Sequence, residues 1–155
     1  MDSVEIVTAG PDRMSAVAEL RWRWAEEVHG TPSTGLAEFV TSFTAWAAEH
    51  LGSHRCWVAL RGGGVRGMAW LALTPRVPYP GAVERVSADV QCVYVVPEER
   101  SNGIGGQLID AVLVAASESG AERVTVHSSV RAVSVYERHG FSSSPLLLQA
   151  VPGTG

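Results

Sequence analysis

Val93-Tyr94-Val95-Val96-Pro97-Glu98-Glu99-Arg100-Ser101-Asn102-Gly103-Ile104-Gly105-Gly106 reads as a strand, a polar turn and a helix that opens on glycine. The first backbone N–H groups of a helix have no partner inside it and carry partial positive charge, so such a start accepts phosphate oxygens. Glycine removes the Cβ that would hold a large anion away from that backbone. A dinucleotide fingerprint requires a third glycine where this chain has Leu108. A Walker-A loop requires Lys, and the chain has none: its 12 basic residues are all Arg. The lack of Lys also excludes Schiff-base and pyridoxal-phosphate chemistry.

The sequence on either side alternates between strand and helix patterns. Upstream, Val4 to Thr8 reads as a short strand, and Gly10-Pro11-Asp12 breaks the chain and offers Asp12 as a helix cap. Met14, Val17, Ala18 and Leu20 recur at helical spacing, continuing through Trp22, Trp24 and Ala25 toward Glu27, until Gly30-Thr31-Pro32 ends the helix. A second helix runs from about Leu36 to Leu51, with Phe39, Val40, Phe43, Trp46 and Ala47 on one face. Cys56 to Leu60 and Val65 to Leu73 form a hairpin around Gly62-Gly63-Gly64. Thr74 to Gly81, with its three prolines, reads as a loop before the strand Asp89 to Val96. Downstream, Ile104, Leu108, Ala111, Val112 and Ala115 mark a helix capped at Gly120. A strand at Val124 to His127, a helix from about Ala132 to His139 and a last short strand at Pro145 to Val151 complete the pattern. The order is β-α-α-β-β-β-α-β-α-β, without repeats or linkers, and a single domain over residues 1–155 is expected.

Composition narrows the partners. With 46% apolar and 18% charged residues, the 155-residue chain has a globular composition. Its net charge of −4 and the lack of a basic stripe argue against nucleic acid. No apolar run is long enough to span a membrane, and the N-terminus lacks a secretory pattern, so a cytoplasmic location is expected. Cys56 and Cys92 form no CxxC pair, and each reads as a small buried hydrophobe. His50 and His54 are four apart, but Gly52 and Ser53 fall between them and no HExxH occurs, so no metal site is expected.

Arg100-x-x-Gly103-x-Gly105 directly after a strand matches the Arg/Gln-x-x-Gly-x-Gly/Ala pyrophosphate loop of the GNAT N-acetyltransferases at every position. Ala132, Tyr136, Gly140 and Phe141 match that family's pattern Asn-x-x-Ala-x-x-x-Tyr-x-x-x-Gly-Phe one helix and one strand later. The one departure is Ser129, which stands where the family has Asn and offers fewer hydrogen-bonding groups on a shorter arm. The chain therefore resembles a GNAT acetyltransferase over most of its length. The resemblance implies an α+β, three-layer fold with a mixed, mostly antiparallel twisted sheet. Six to seven strands would be flanked by about four helices, with the strands Asp89–Val96 and Val124–Ser128 splaying apart.

The resemblance further implies acetyl-CoA as co-substrate and no metal. The pantetheine arm would lie in the splay against the backbone of Val93 and Val95, one N–H of which would polarise the thioester carbonyl. Amides of Arg100, Ser101, Asn102, Gly103, Ile104, Gly105 and Gly106 would hold the pyrophosphate, with Ser129 as a further contact. Tyr136 would serve as the acid near the leaving sulfur. Asp89, six residues before Val95, would be the base, with Glu84 and Glu27 as rivals. Strand alternation predicts Asp89, Gln91, Val93 and Val95 on one face.

The implied reaction is N-acetylation of a primary amine by direct attack in a ternary complex. The acceptor would be a small-molecule amine or a protein N-terminus, met by the first two helices and the loop before Asp89. Trp22, Trp24, Glu26, Glu27, His29, Arg76 and Tyr79 are the candidates there, and aromatics beside carboxylates suit a cationic amine. Two other readings compete: a non-enzymatic acyl-CoA-binding sensor on the same fold, and a dimerisation domain without cofactor. On family grounds a homodimer is a further expectation.

Overall fold

The structure, a computed structural model, describes residues 3–153. Five strands lie side by side in chain order: β1 (Glu5–Thr8), β2 (His54–Arg61), β3 (Gly64–Arg76), β4 (Arg85–Val95) and β5 (Ala121–Val126). β1 to β4 pair antiparallel, whereas β4 and β5 run parallel. The helices are α1 (Met14–His29), α2 (Leu36–Glu49), α3 (Ile104–Glu118) and α4 (Val133–Arg138).

Alternation along the strands creates two apolar layers. Val58, Met68, Trp70 and Tyr94 pack with Met14, Val17 and Leu20 of α1 and Ala47 of α2. Ala59, Ala69, Leu71, Ala88 and Val90 pack with Ile104, Leu108 and Val112 of α3. The result is the expected mixed α+β sheet between helices, with five strands among the described residues in place of six to seven.

The missing strand is the one expected at Pro145 to Val151. Pro145 and Leu146 form a turn, the rest of that segment is irregular and, among the described residues, it pairs with no strand; Leu146, Leu148 and Val151 are exposed. The Leu146 N–H turns back to the Ser144 hydroxyl (3.2 Å), which curls the chain at its entry. Two smaller expectations also change. Thr74 to Arg76 belong to β3, not to a loop, because β4 begins at Arg85 and pairs with them. Leu73 donates its N–H to Ser53 at the end of β2, so two residues on Pro75 lacks an N–H only where β2 has run out. Asp12 caps nothing; it sits inside a 3-10 turn (Pro11–Arg13) that leads into α1.

Candidate functional site

β4 and β5 remain paired only as far as Val90 opposite Val126. β4 then runs on to Val95 paired with β3 alone, which opens a gap on the side that β5 has left. Val96 donates its N–H to Arg66 of β3 (3.0 Å). N–H groups alternate sides along a strand, so those of Val95 and Val93 face the gap.

A β-bulge in β4 sets what else faces where. Met68 pairs with Tyr94 and Trp70 with Gln91, so Ala69 opposes both Cys92 and Val93. Cys92 takes a left-handed backbone (φ 55°) to absorb the extra residue. The alternation is thereby reset. Val93 and Val95 pack on the α3 side, whereas Gln91 and Cys92 line a pocket with residues of α1 and α2. The expected common face of Asp89, Gln91, Val93 and Val95 does not exist, since no periodicity argument anticipates the inserted residue. Cys92 is half-buried, packed against the core under α1 and α2 and also lining this pocket, whereas Cys56 is fully buried.

At the end of β4 the chain enters the glycine turn through a 3-10 turn (Pro97–Glu99). Ser101 (φ 68°) and Gly103 (φ 78°) are both left-handed, and no side chain caps the start of α3. The amides at 104–106 thus open on a cavity of about 550 Å³. Arg100, Ser101, Gly103, Ile104, Gly105 and Gly106 line it, with Val95 at its floor; Asn102 is not among the lining residues. The turn's charged side chains are engaged elsewhere. Glu98 pairs with Arg23 of α1 (2.7 Å), and Glu99 with Arg61 of β2 (2.6 Å). Arg100 donates to both Glu27 carboxylate oxygens (3.0 and 2.8 Å) and, through Nε, to the Val95 carbonyl (3.0 Å). What faces the cavity from the turn is mainly backbone.

The end of α4 adds two further residues to this cavity. Arg138 brings a cation from α4, and His139 stands over the first turn of α3, its Nδ1 on Asp110 (2.7 Å). A Cβ on Gly106 would lie 2.7 Å from His139 Nε2, so glycine is what permits that approach. The motif Gly140-Phe141 pointed to this helix end, but only the fold brings it over α3.

Glu27 is spent as a structural anion. Burial works to raise its pKa, but the hydrogen bonds from Arg100 and Tyr94 outweigh it and hold the carboxyl below its ordinary value. The Tyr94 hydroxyl, buried and donating to Glu27 (2.9 Å), is pushed up to about 12. Asp89 lies where β4 and β5 part, accepting from Thr125 Oγ1 (2.8 Å) and Gln91 Nε2 (3.0 Å). Tyr136 is buried edge-to-face against Phe141 (5.3 Å), and burial, then the Cys92 thiol, raise its pKa. It also lines a cleft of about 610 Å³ along the free edge of β5. Ser129 is exposed and lines neither cavity; its carbonyl accepts from the Ser128 hydroxyl (2.7 Å).

The acceptor candidates divide. Arg76 and Tyr79 sit at the opposite end of β4, near Arg85, which pairs with Glu122 (2.7 Å). Trp22 and Trp24 are both half-buried and border a groove with His29. The pocket beside the bulge is instead built by Phe39, Phe43 and Trp46 of α2 and Trp70 of β3, with Arg21 of α1 at its wall. Their helical spacing marked the α2 residues as core-facing, and nothing in the sequence separated pocket from core. His50 and His54 pack around Trp46, their rings 5.9 Å apart.

Comparison with known proteins places this architecture. Residues 52–143 match the acetyltransferase (GNAT) domain model, and the chain belongs to that family. It is similar to a predicted acetyltransferase from Clostridium acetobutylicum solved with acetyl-CoA: TM-score 0.79, 18% identity, 96% of each chain covered. It is also similar to a GCN5-related N-acetyltransferase from Ralstonia eutropha (TM-score 0.73, 24% identity, 97% and 100% covered). Glucosamine-6-phosphate N-acetyltransferase from Arabidopsis thaliana gives a TM-score of 0.72 at 16% identity, with 96% and 98% covered. No curated protein matches the sequence. Among the described residues, no helix is long and apolar enough to cross a membrane.

Proposed function

We propose that the chain transfers the acetyl group of acetyl-CoA to a primary amine on a small molecule, acting in the cytoplasm. The observation that carries this reading is the continuity of the β4–β5 gap with the glycine cavity: free amides line both, and the strand that supplies one leads into the turn that supplies the other. Acetyl-CoA would bring the activated thioester. The amides at 103–106 suit its pyrophosphate, and Arg138 adds a cation at the same cavity. Val93 and Val95 offer N–H groups to the pantetheine arm in the manner of a neighbouring strand.

Asp89 is the base in this scheme. Its carboxylate sits at the mouth of the gap, positioned by Thr125 and Gln91, and it takes the proton that the acceptor amine must lose. Tyr136 is the acid. Its raised pKa keeps the phenol protonated through the neutral range, so it can donate toward the departing sulfur. A homodimer formed over the outer edge of β5 completes the proposal, since among the described residues that edge has no strand partner, and Leu146 to Leu148 lie exposed next to it.

The experiment is release of CoA thiol from acetyl-CoA in the presence of a panel of amines. Turnover dependent on both compounds is expected. Tight acetyl-CoA binding without turnover on any amine would favour a sensor over an enzyme.

A further inference from the structure

The pocket beside the β4 bulge has a chemistry of its own. It holds about 270 Å³, at the lower end of ligand pockets, which span roughly 300–1,000 Å³. Phe43 meets Trp70 edge-on at 5.8 Å, Trp46 meets it at 6.0 Å, and Phe39 extends the row at 5.6 Å from Phe43. Trp46 nevertheless remains 38% exposed, so this row presents an open aromatic face and not a closed core. No carboxylate lines the pocket.

Its one charged lining residue is Arg21. The guanidinium rests 4.1 Å from the centre of the Trp24 ring, and among the described residues no carboxylate pairs with it. The contrast with its neighbours is informative: Arg23 of the same helix holds Glu98, and Arg100 holds Glu27. At the inner end of the pocket, Gln91 carries the Asp89 carboxylate on its amide. Cys92 shares the lining with Arg21 and Gln91: burial raises its thiol pKa, Arg21 pulls it down and Asp89 adds to the rise.

Resting on the reading of this chain as an acetyltransferase, we propose that its acceptor is an amine with an aromatic body and a carboxylate. The body would lie on Phe43, Trp46 and Trp70, the carboxylate on Arg21, and the amine toward Asp89. This polarity reverses the expectation of a purely cationic acceptor, because the carboxylates that supported it are elsewhere: Glu27 is tied to Arg100, and Glu26 is not among the pocket's residues. A planar guanidinium recognises a carboxylate through paired donors, and an aromatic face favours a flat body. In the transfer the amine nitrogen gains the acetyl carbon, the carbon–sulfur bond breaks, Asp89 receives the amine proton and the thiolate takes one from Tyr136.

The test measures kcat/KM for thiol release with two matched pairs: phenylalanine against phenethylamine, and 4-(aminomethyl)benzoate against benzylamine. In at least one pair the carboxylate-bearing member should lead by about tenfold or more, the scale of a charge-assisted contact. Arg21→Gln should bring that ratio to about one, with acetyl-CoA titration of the variant reporting that it is folded. Equal or better use of the carboxylate-free amines, a preference that survives Arg21→Gln, or a stronger preference for a peptide N-terminus would overturn the assignment. Absence of acetyl-CoA binding to the unaltered protein would instead remove the transferase reading beneath it.

Discussion

The two cavities that flank the end of β4 are built from different materials. At the glycine turn the binding groups are backbone amides, presented by Ser101 and Gly103 in left-handed conformations and by the uncapped start of α3. Every acidic or basic side chain of the turn is committed to holding it: Glu98 to Arg23, Glu99 to Arg61, Arg100 to Glu27. Beside the bulge the binding groups are side chains, drawn from α1, α2, β3 and β4. A backbone cavity can serve one ligand shape through many changes of sequence, because amides are present whatever the residue. A side-chain cavity can be re-aimed at a new acceptor by a single substitution, and the sheet beneath it need not move.

That contrast orders the expected effects of mutation. Tyr136→Phe touches neither cavity's binding groups and should show the largest change: kcat falls by about 100-fold, as loss of a general acid does, while acetyl-CoA affinity is retained. Wild-type kcat in that variant would reduce Tyr136 to packing against Phe141. Gly103→Val attacks the backbone cavity directly. A β-branched residue is strained at φ 78°, by roughly 1–3 kcal/mol, and acetyl-CoA should bind about tenfold or more weakly by calorimetry.

Glu27→Ala probes the frame that holds the turn. It leaves the buried Tyr94 hydroxyl without its acceptor, which costs about 1–3 kcal/mol, visible as a lowered Tm. The pH dependence has a definite sign. Because Glu27 is held below its ordinary value of 4.5, its stabilisation is full above that pH and is lost as pH falls through the folded-state value. The Tm gap between the two proteins should therefore close on acidification; a gap that widens would contradict the pairing. Ser129→Ala should be the mildest. An exposed side chain that lines neither cavity should change acetyl-CoA affinity by less than about twofold, in line with ordinary surface substitutions.

The same contrast explains what could be read from the residues alone. The glycine turn was legible because its determinants are local: left-handed positions, a helix start and a preceding strand lie within fourteen consecutive residues. The order of the elements along the chain, up to the last strand, followed from apolar runs and turns for the same reason. The bulge at Cys92 was not legible, because an inserted residue inside an apolar strand leaves no mark on composition, yet it decides which face Val93 and Val95 take. The aromatic pocket was hidden for a different reason. Phe39, Phe43 and Trp46 have the spacing of a core face, and only the packing of α2 over Trp70 leaves that face open. The apolar stretch Pro145 to Val151 reads as a strand because strand propensity is local, but a strand needs a partner, and among the described residues none lies beside it.

Together the gap and the glycine turn would form one site for acetyl-CoA. Calorimetric titration of the purified protein with acetyl-CoA, with desulfo-CoA and NAD as comparators, tests it most directly. Micromolar binding of both CoA compounds and none of NAD is the predicted result. No binding of either CoA compound would contradict it and leave the glycine turn as scaffold.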